Sequence, residues 1–309
     1  MTPLVSVIIC TYSRPAMLQE TLKSILKQER EGSFDLEIIV VDNSPSGQMK
    51  AAVEPFQGKL RYLQETTQGK SHALNHGVKN ATGEVIAFTD DDAIADPQWL
   101  LSLIRSLKDH QCDGVGGRVM PIYPSETPQW IKDNPAKIAG GVVVYDYGED
   151  EFLYEEKYDP FIGCNYAFKR RVFDDCGVFR TDVGPGTNAM GEDTEFIERL
   201  IEQGKILYYC GTAVVRHPVD LKRLTLKHIA HWHIALGRFC ARREVEKKER
   251  ISVYYFGIPR YLWKGVVKDA LTGILCVFNR IKFFDAWRGF FRKIGMIKEY
   301  SDLRRQGLK

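Results

Sequence analysis

The sequence has no run of about eighteen uncharged apolar residues, the length a membrane-spanning helix needs. Arg260, Lys264, Lys268 and Asp269 interrupt the best candidate, so no segment is expected to span a membrane. There is no C-x-x-C pair. The seven cysteines (Cys10, Cys112, Cys164, Cys176, Cys210, Cys240 and Cys276) are odd in number and dispersed. This argues against a disulfide framework or a zinc site, and for reduced thiols in a cytoplasmic chain. The opening MTPLVSVIICTY lacks a basic segment ahead of its apolar run, so it reads as a strand and not a signal peptide. Walker A is missing, and no G-x-G-x-x-G follows the first expected strand. Any nucleotide must be held by other means.

What is present is an ordinary globular composition, long enough for one large α/β domain or one domain plus an extension. A net charge of +3 hides an asymmetry. Residues 1–220 carry 22 Lys and Arg against 33 Asp and Glu, whereas residues 221–309 carry 21 against 7. The basic part also holds Trp232, Trp263, Trp287 and many Phe and Tyr. Apolar residues recur at helical spacing from Leu224 to Cys240. A charged stretch over 242–250 leads into further helical segments over 252–278 and 283–294. Basic, aromatic helices imply an anionic partner, such as the surface of an anionic membrane. That reading gives a peripheral position at the inner face of the cell membrane. Packing on the acidic body of the protein, or a homodimer contact, would also use such helices. No RNA-recognition signature appears, so nucleic acid is not expected.

The most informative stretch is Glu84–Ala93, EVIAFTDDDA. Val85–Phe88 is a short apolar run of the kind buried on both faces of a parallel sheet. It enters three consecutive carboxylates, Asp90, Asp91 and Asp92, whose burial requires compensating cations. In an extended segment Asp90 and Asp92 point the same way. Two hard oxygen donors on one side suit Mg²⁺ or Mn²⁺, although a solvated acidic loop would carry the same letters.

Upstream, Val5–Thr11 and Leu36–Val41 read as buried strands flanking a helix over Ala16–Gln28. Strand, helix, strand within about 40 residues is a βαβ unit with a right-handed crossover. A short strand over Leu60–Leu63 and a helix over Gly69–Lys79 lead to the central strand. Ligands of such sheets sit at the carboxyl ends of the strands. Thr11, Asp42 and Asp90 should therefore converge on one crevice, with a nucleotide held by acidic residues and a metal.

The stretches VSVIICTYSRP, LEIIVVDNS and GKSHALNHGVKNATGEVIAFTDDDA resemble, in order and spacing, family 2 glycosyltransferases of the GT-A fold. The resemblance covers roughly residues 4–100. It implies an α/β, mostly parallel central sheet and a nucleotide-diphosphate-sugar donor, a UDP-sugar first of all. By matched motif, Thr11, Tyr12 and Arg14 would line the nucleotide pocket, Asp42 would contact the base, and Lys70 would face the nucleotide or its phosphates. Asp90 and Asp92 form the family's D-x-D. Asp92 would be the direct metal ligand, and Asp91 or Asp90 would lie nearer the ribose or sugar.

Beyond the motif, Pro97–Leu107 reads as a helix with proline near its first turn, and Gly114–Met120 as a strand whose glycines allow close backbone approach. Tyr123–Tyr158 is polar and proline-bearing. It reads as one long loop, either an acceptor-facing flap containing Trp130 or a simple insertion. Phe161–Arg171 resembles the segment behind the family's sugar site, where Gly163, Cys164 and Asn165 would approach the donor. Gly191-Glu192-Asp193 opens an amphipathic helix, and acids there complement the helix dipole whatever else they do. The match to the family's E-D motif makes Asp193 the candidate general base, with Glu192 beside it in the sugar site. His217, at the end of the strand run Lys205–Val215, stands where a family histidine completes the metal or diphosphate site.

The implied reaction is a single displacement with inversion, moving a hexose to an acceptor hydroxyl in polysaccharide, lipid-linked oligosaccharide or glycolipid synthesis. The implied organisation is a catalytic domain over 1–220, with a nucleotide-binding half 1–95 and an acceptor-binding half 96–220. A helical extension over 221–309 follows. A non-catalytic scaffold relative would have no need of Asp193. A nucleotidyltransferase would show a glycine-rich phosphate loop that TYSRP does not supply.

Overall fold

The computed structural model describes residues 2–248, 251 and 253–307. Glu249, Arg250 and Ser252, in the charged stretch and the segment after it, lie outside the described residues. The chain divides into two compact units. The first comprises residues 2–122, 144–186 and 192–218, and the second 123–143, 187–191 and 219–307.

The first unit is built on a sheet of nine strands among the described residues. β1 (Leu4–Thr11) lies between β2 (Asp35–Asp42) and β4 (Val85–Asp90), parallel to both, with β3 (Arg61–Gln64) outside β2. The apolar runs of β1, β2 and β4 are buried, as the sequence led one to expect. Short β8 (Tyr166–Lys169) pairs antiparallel with β4 and with β6 (Gly114–Ile122), and β6 runs parallel to β9 (Leu207–Pro218). Short β5 (Ile94–Ala95) and β7 (Glu151–Leu153) add antiparallel to β9. The longest pairings are thus parallel. In β6, a Cβ on Gly116 would lie 2.2 Å from the Phe161 ring, so the expected close approach is real.

Register places the strand ends side by side. Thr11 pairs with Asp42 and Cys10 with Asp90. The strand order 3-2-1-4 reverses direction at β1, and an open α/β sheet forms its ligand crevice at such a point.

The second unit is helical. Gly237 of the helix Leu226–Glu246 packs against the helix Arg280–Arg305 so closely that a Cβ there would lie 1.9 Å from the Arg292 carbonyl oxygen. Buried Glu299 accepts from Arg238 at 2.7 Å and Arg242 at 2.6 Å.

Two expectations change here. The stretch 123–158 is not one loop. Residues 123–143 contain two short helical turns, Gln129–Lys132 and Pro135–Ile138. Their Ile131 and Ile138, with Val142, bury against Val219 and Ile229, so this part belongs with the C-terminal helices. The remainder carries Tyr145, Tyr147 and Phe152, which pack on Tyr209 of β9. The second unit is consequently more than the extension 221–309, because it also takes in 123–143 and 187–191.

Candidate functional site

The site is assembled at the carboxyl ends of β1, β4 and β9, all within the first unit. The backbone leaves β4 at Asp90 and turns at Asp91–Asp92. Asp90 and Asp92 nevertheless bring carboxylate oxygens within 4.8 Å of each other. Asp91 points back at β1. It accepts from Thr11 Oγ1 at 2.7 Å, Tyr12 N at 3.3 Å and an Arg14 Nη at 3.2 Å. Burial pushes its carboxyl up to about 6 against the pull of Arg14 and Thr11. Arg14 also pairs with Asp92, and the Tyr12 ring is left exposed.

Asp92 meets β9. His217 presents Nε2 to Asp92 Oδ1 at 3.2 Å, while its Nδ1 faces the Pro218 carbonyl at 3.0 Å. Burial disfavours the charged ring, but the hydrogen bond and charge of Asp92 raise its proton affinity above the ordinary value. One ligand atom each from Asp90, Asp92 and His217 lie within 4.8 Å of one another. Two carboxylate oxygens and an imidazole nitrogen at that spacing fit one Mn²⁺ or Mg²⁺ ion.

Lys70 links this cluster to a second. Its Nζ donates to Asp90 Oδ1 at 2.8 Å and lies 3.9 Å from Glu192 Oε1. Burial pulls its proton affinity down, yet Asp90 and Glu192 hold it well above the lysine range. Its helix, Lys70–Asn80, is pinned by Lys70 N donating to the Pro185 carbonyl at 3.0 Å and Ser71 to the Val183 carbonyl at 3.1 Å.

Glu192 and Asp193 open the helix Glu192–Glu202. Asp193 accepts from Gly163 N at 3.2 Å and Thr194 N at 2.8 Å. Both carboxyls have raised proton affinity, first through burial, and Glu192 also through its neighbour Asp193. A Cβ on Gly163 would lie 3.4 Å from Lys70 Nζ, 3.5 Å from Tyr166 Oη and 3.6 Å from Asp193 Oδ2. These groups share one small space.

The other sequence candidates are placed differently. Asp42 is fully buried and accepts from Ser44 N, Met49 N and the Tyr62 hydroxyl. Asn165 is also buried. It accepts from Trp99 Nε1 and donates to the Arg118 and Ala213 carbonyls. Cys164 is buried with its thiol pushed far up by burial. Asp42 and Asn165 each make three side-chain hydrogen bonds within the protein. Trp130 belongs to the second unit, where it packs on Phe284 and under Arg280. Tyr166, which the sequence reading passed over, lines the space around Gly163. Its strand pattern looked like core, and nothing in its spacing marked it out.

Comparison with known proteins adds to this geometry. The family model described as Glycosyl transferase family 2 matches residues 6–177. The chain is 28% identical over 222 residues, 69% of its length and 68% of the other's, to the glucosyl-dolichyl phosphate glucuronosyltransferase of Haloferax volcanii. It is 27% identical over 270 residues, 86% and 80% of the two chains, to the succinoglycan biosynthesis protein ExoM of Rhizobium meliloti. Among solved structures, the mannosyltransferase PcManGT from Pyrobaculum calidifontis in complex with GDP-Man and Mn²⁺ matches with a TM-score of 0.62 at 20% identity. The match covers 98% of this chain and 88% of that one.

Proposed function

The chain belongs to glycosyl transferase family 2 and is a glycosyltransferase, and we propose that it moves a hexose from a nucleoside-diphosphate sugar to an acceptor hydroxyl with inversion. One observation carries the reading. Asp90 at the end of β4, Asp92 in the turn after it and His217 on β9, distant in sequence, bring ligand atoms within 4.8 Å of each other. They would hold a divalent cation, which when bound would neutralise charge on the departing diphosphate.

The chain's own residues supply the rest. Asp193, fixed by the Gly163 and Thr194 amides, would take the acceptor proton, and its raised proton affinity suits a base. Lys70 would add a fixed positive charge beside the developing one. The exposed Tyr12 ring is free to stack on the nucleotide base, with Thr11 and Arg14 ordering the turn through Asp91. We assign Asp42 and Asn165 to framing the pocket. Relatives named for glucosyl-dolichyl phosphate and for succinoglycan biosynthesis support a lipid-linked or polysaccharide acceptor.

The test is a thermal-shift screen of UDP-, GDP- and dTDP-sugars, with and without Mn²⁺, on wild type and Asp92→Ala. A ligand at about 100 times its Kd stabilises the fold by about 2.7 kcal/mol. One donor should stand out, and its shift should need both metal and Asp92. A shift indifferent to Asp92 would sink the metal-diphosphate reading.

A further inference from the structure

We propose that the helix Arg260–Leu275 and the turn after it form a docking surface for an anionic lipid bilayer, lying in the plane of the membrane. The inference goes beyond the reaction proposed above and does not rest on it.

The helix is held to the second unit by one side only. Leu262 is fully buried in a cluster with Ala241, Met296 and Tyr300. Asp269 accepts from Lys293 Nζ at 2.6 Å, and Gly265 sits against the Lys293 stem. The stripe Trp263, Val267, Leu271 and Ile274, spaced four, four and three, faces solvent. Ile274 is 72% exposed, Leu275 82% and Phe278, in the turn, 99%. Trp263, Val267, Leu271 and Leu275 line an open apolar groove together with Lys264 and Lys268. Among the described residues, more than half of all exposed large apolar side chains fall between Tyr254 and Ile281. Apolar surface this concentrated marks an interaction site.

Charge selects the occupant. Between Tyr254 and Lys282 the sole acidic residue is Asp269, and it is turned inward to Lys293. Lys264 and Lys268 border the groove, while Arg280 and Lys282 follow Phe278. Long basic side chains can rest their stems on the apolar stripe and reach their charges to lipid phosphates. A second copy packed face to face would offer these cations no acidic partner, because the same surface carries none but Asp269, already paired with Lys293. Among the described residues no helix is long and apolar enough to cross a membrane, so the helix would lie on the bilayer surface.

The full-length protein is mixed with vesicles of phosphatidylcholine, alone or with phosphatidylglycerol, and floated on a density gradient. It should rise with the anionic vesicles and sink with the neutral ones or in high salt. Val267→Glu with Leu271→Glu, and separately Phe278→Ser, should each weaken flotation by about tenfold or more without lowering the melting temperature, because these side chains are exposed. Wild type that fails to float with anionic vesicles overturns the proposal, as do variants that float as well as wild type. It is equally overturned if the variants convert a dimer to a monomer in light scattering while vesicle binding is unchanged, since the surface would then join two copies.

Discussion

The two acidic stretches of the first unit are treated in different ways. Asp90–Asp92 ends a strand and meets a cation or donor at every member: Lys70 on Asp90, Thr11 and Arg14 on Asp91, and Arg14 and His217 on Asp92. Glu192–Asp193 begins a helix, and the cation nearest Glu192 is Lys70 at 3.9 Å. Backbone amides serve Asp193. The difference teaches how one fold can make two kinds of carboxylate. Charges matched by neighbouring cations form a field that another cation or a diphosphate can enter. Where desolvation outweighs the matching, proton affinity rises, as it does at Asp91 in the first stretch and at both members of the second. A base needs such affinity.

The largest expected effect is on the second stretch. Asp193→Asn keeps an acceptor oxygen for the Gly163 amide but cannot take a proton. Turnover should fall by about 10²–10⁴-fold, the usual worth of a positioned base, while the donor-induced melting shift stays within error of wild type. Single-turnover rates at saturating donor separate the two. Equal losses in donor binding and rate would mean that both stretches hold the donor and the contrast is false.

A smaller effect sharpens the first stretch. Metal binding to His217 requires the neutral ring, and Asp92 raises the ring's proton affinity. Mn²⁺ affinity should therefore rise with pH from imidazole's ordinary value of about 6.5 up to the raised value of the folded ring. The slope for one displaced proton is about tenfold per pH unit. Titration calorimetry at several pH values should show that slope in wild type and lose it in His217→Ala. A wild-type affinity flat across that range would remove His217 from the ligand set.

Much of this contrast was legible before any coordinates. The buried runs of β1, β2 and β4 are short, β-branched and bounded by turns, so their parallel pairing and the meeting of their ends followed from pattern. Positions 90, 92, 193 and 217 stood out in the sequence by their motifs, and they are the residues proposed above to hold the cation and take the proton. Asp42 and Asn165 are read less directly. A polar residue beside a strand looks alike whether it faces a ligand, caps the protein's own amides and carbonyls, or does both. The split of 123–158 was hidden because Ile131, Ile138 and Val142 are too sparse to show a period, and their burial depends on partners about a hundred residues later.

The smallest effect tests the origin of the second stretch's proton affinity, and its sign can be worked out. Burial and the adjacent Asp193 raise the pKa of Glu192 in the fold, whereas the unfolded chain gives Glu its ordinary value of about 4.3. Below that value both states hold the proton, and Glu192→Gln should melt like wild type. As pH climbs, the unfolded chain releases its proton first, so wild type loses stability until pH has passed the higher folded value. Glutamine has no proton to lose. The melting temperature of Glu192→Gln should therefore pull ahead of wild type as pH rises from 4 toward 8. In domains of about 150–250 residues each kcal/mol recovered appears as about 2–4 °C. Lys70 keeps Asp90 at 2.8 Å in the variant, so the gain should not be cancelled by a stranded cation. If the variant instead melts lower at pH 8, the Glu192 charge is a needed partner of Lys70. The two stretches would then form one matched network, with no proton-hungry end.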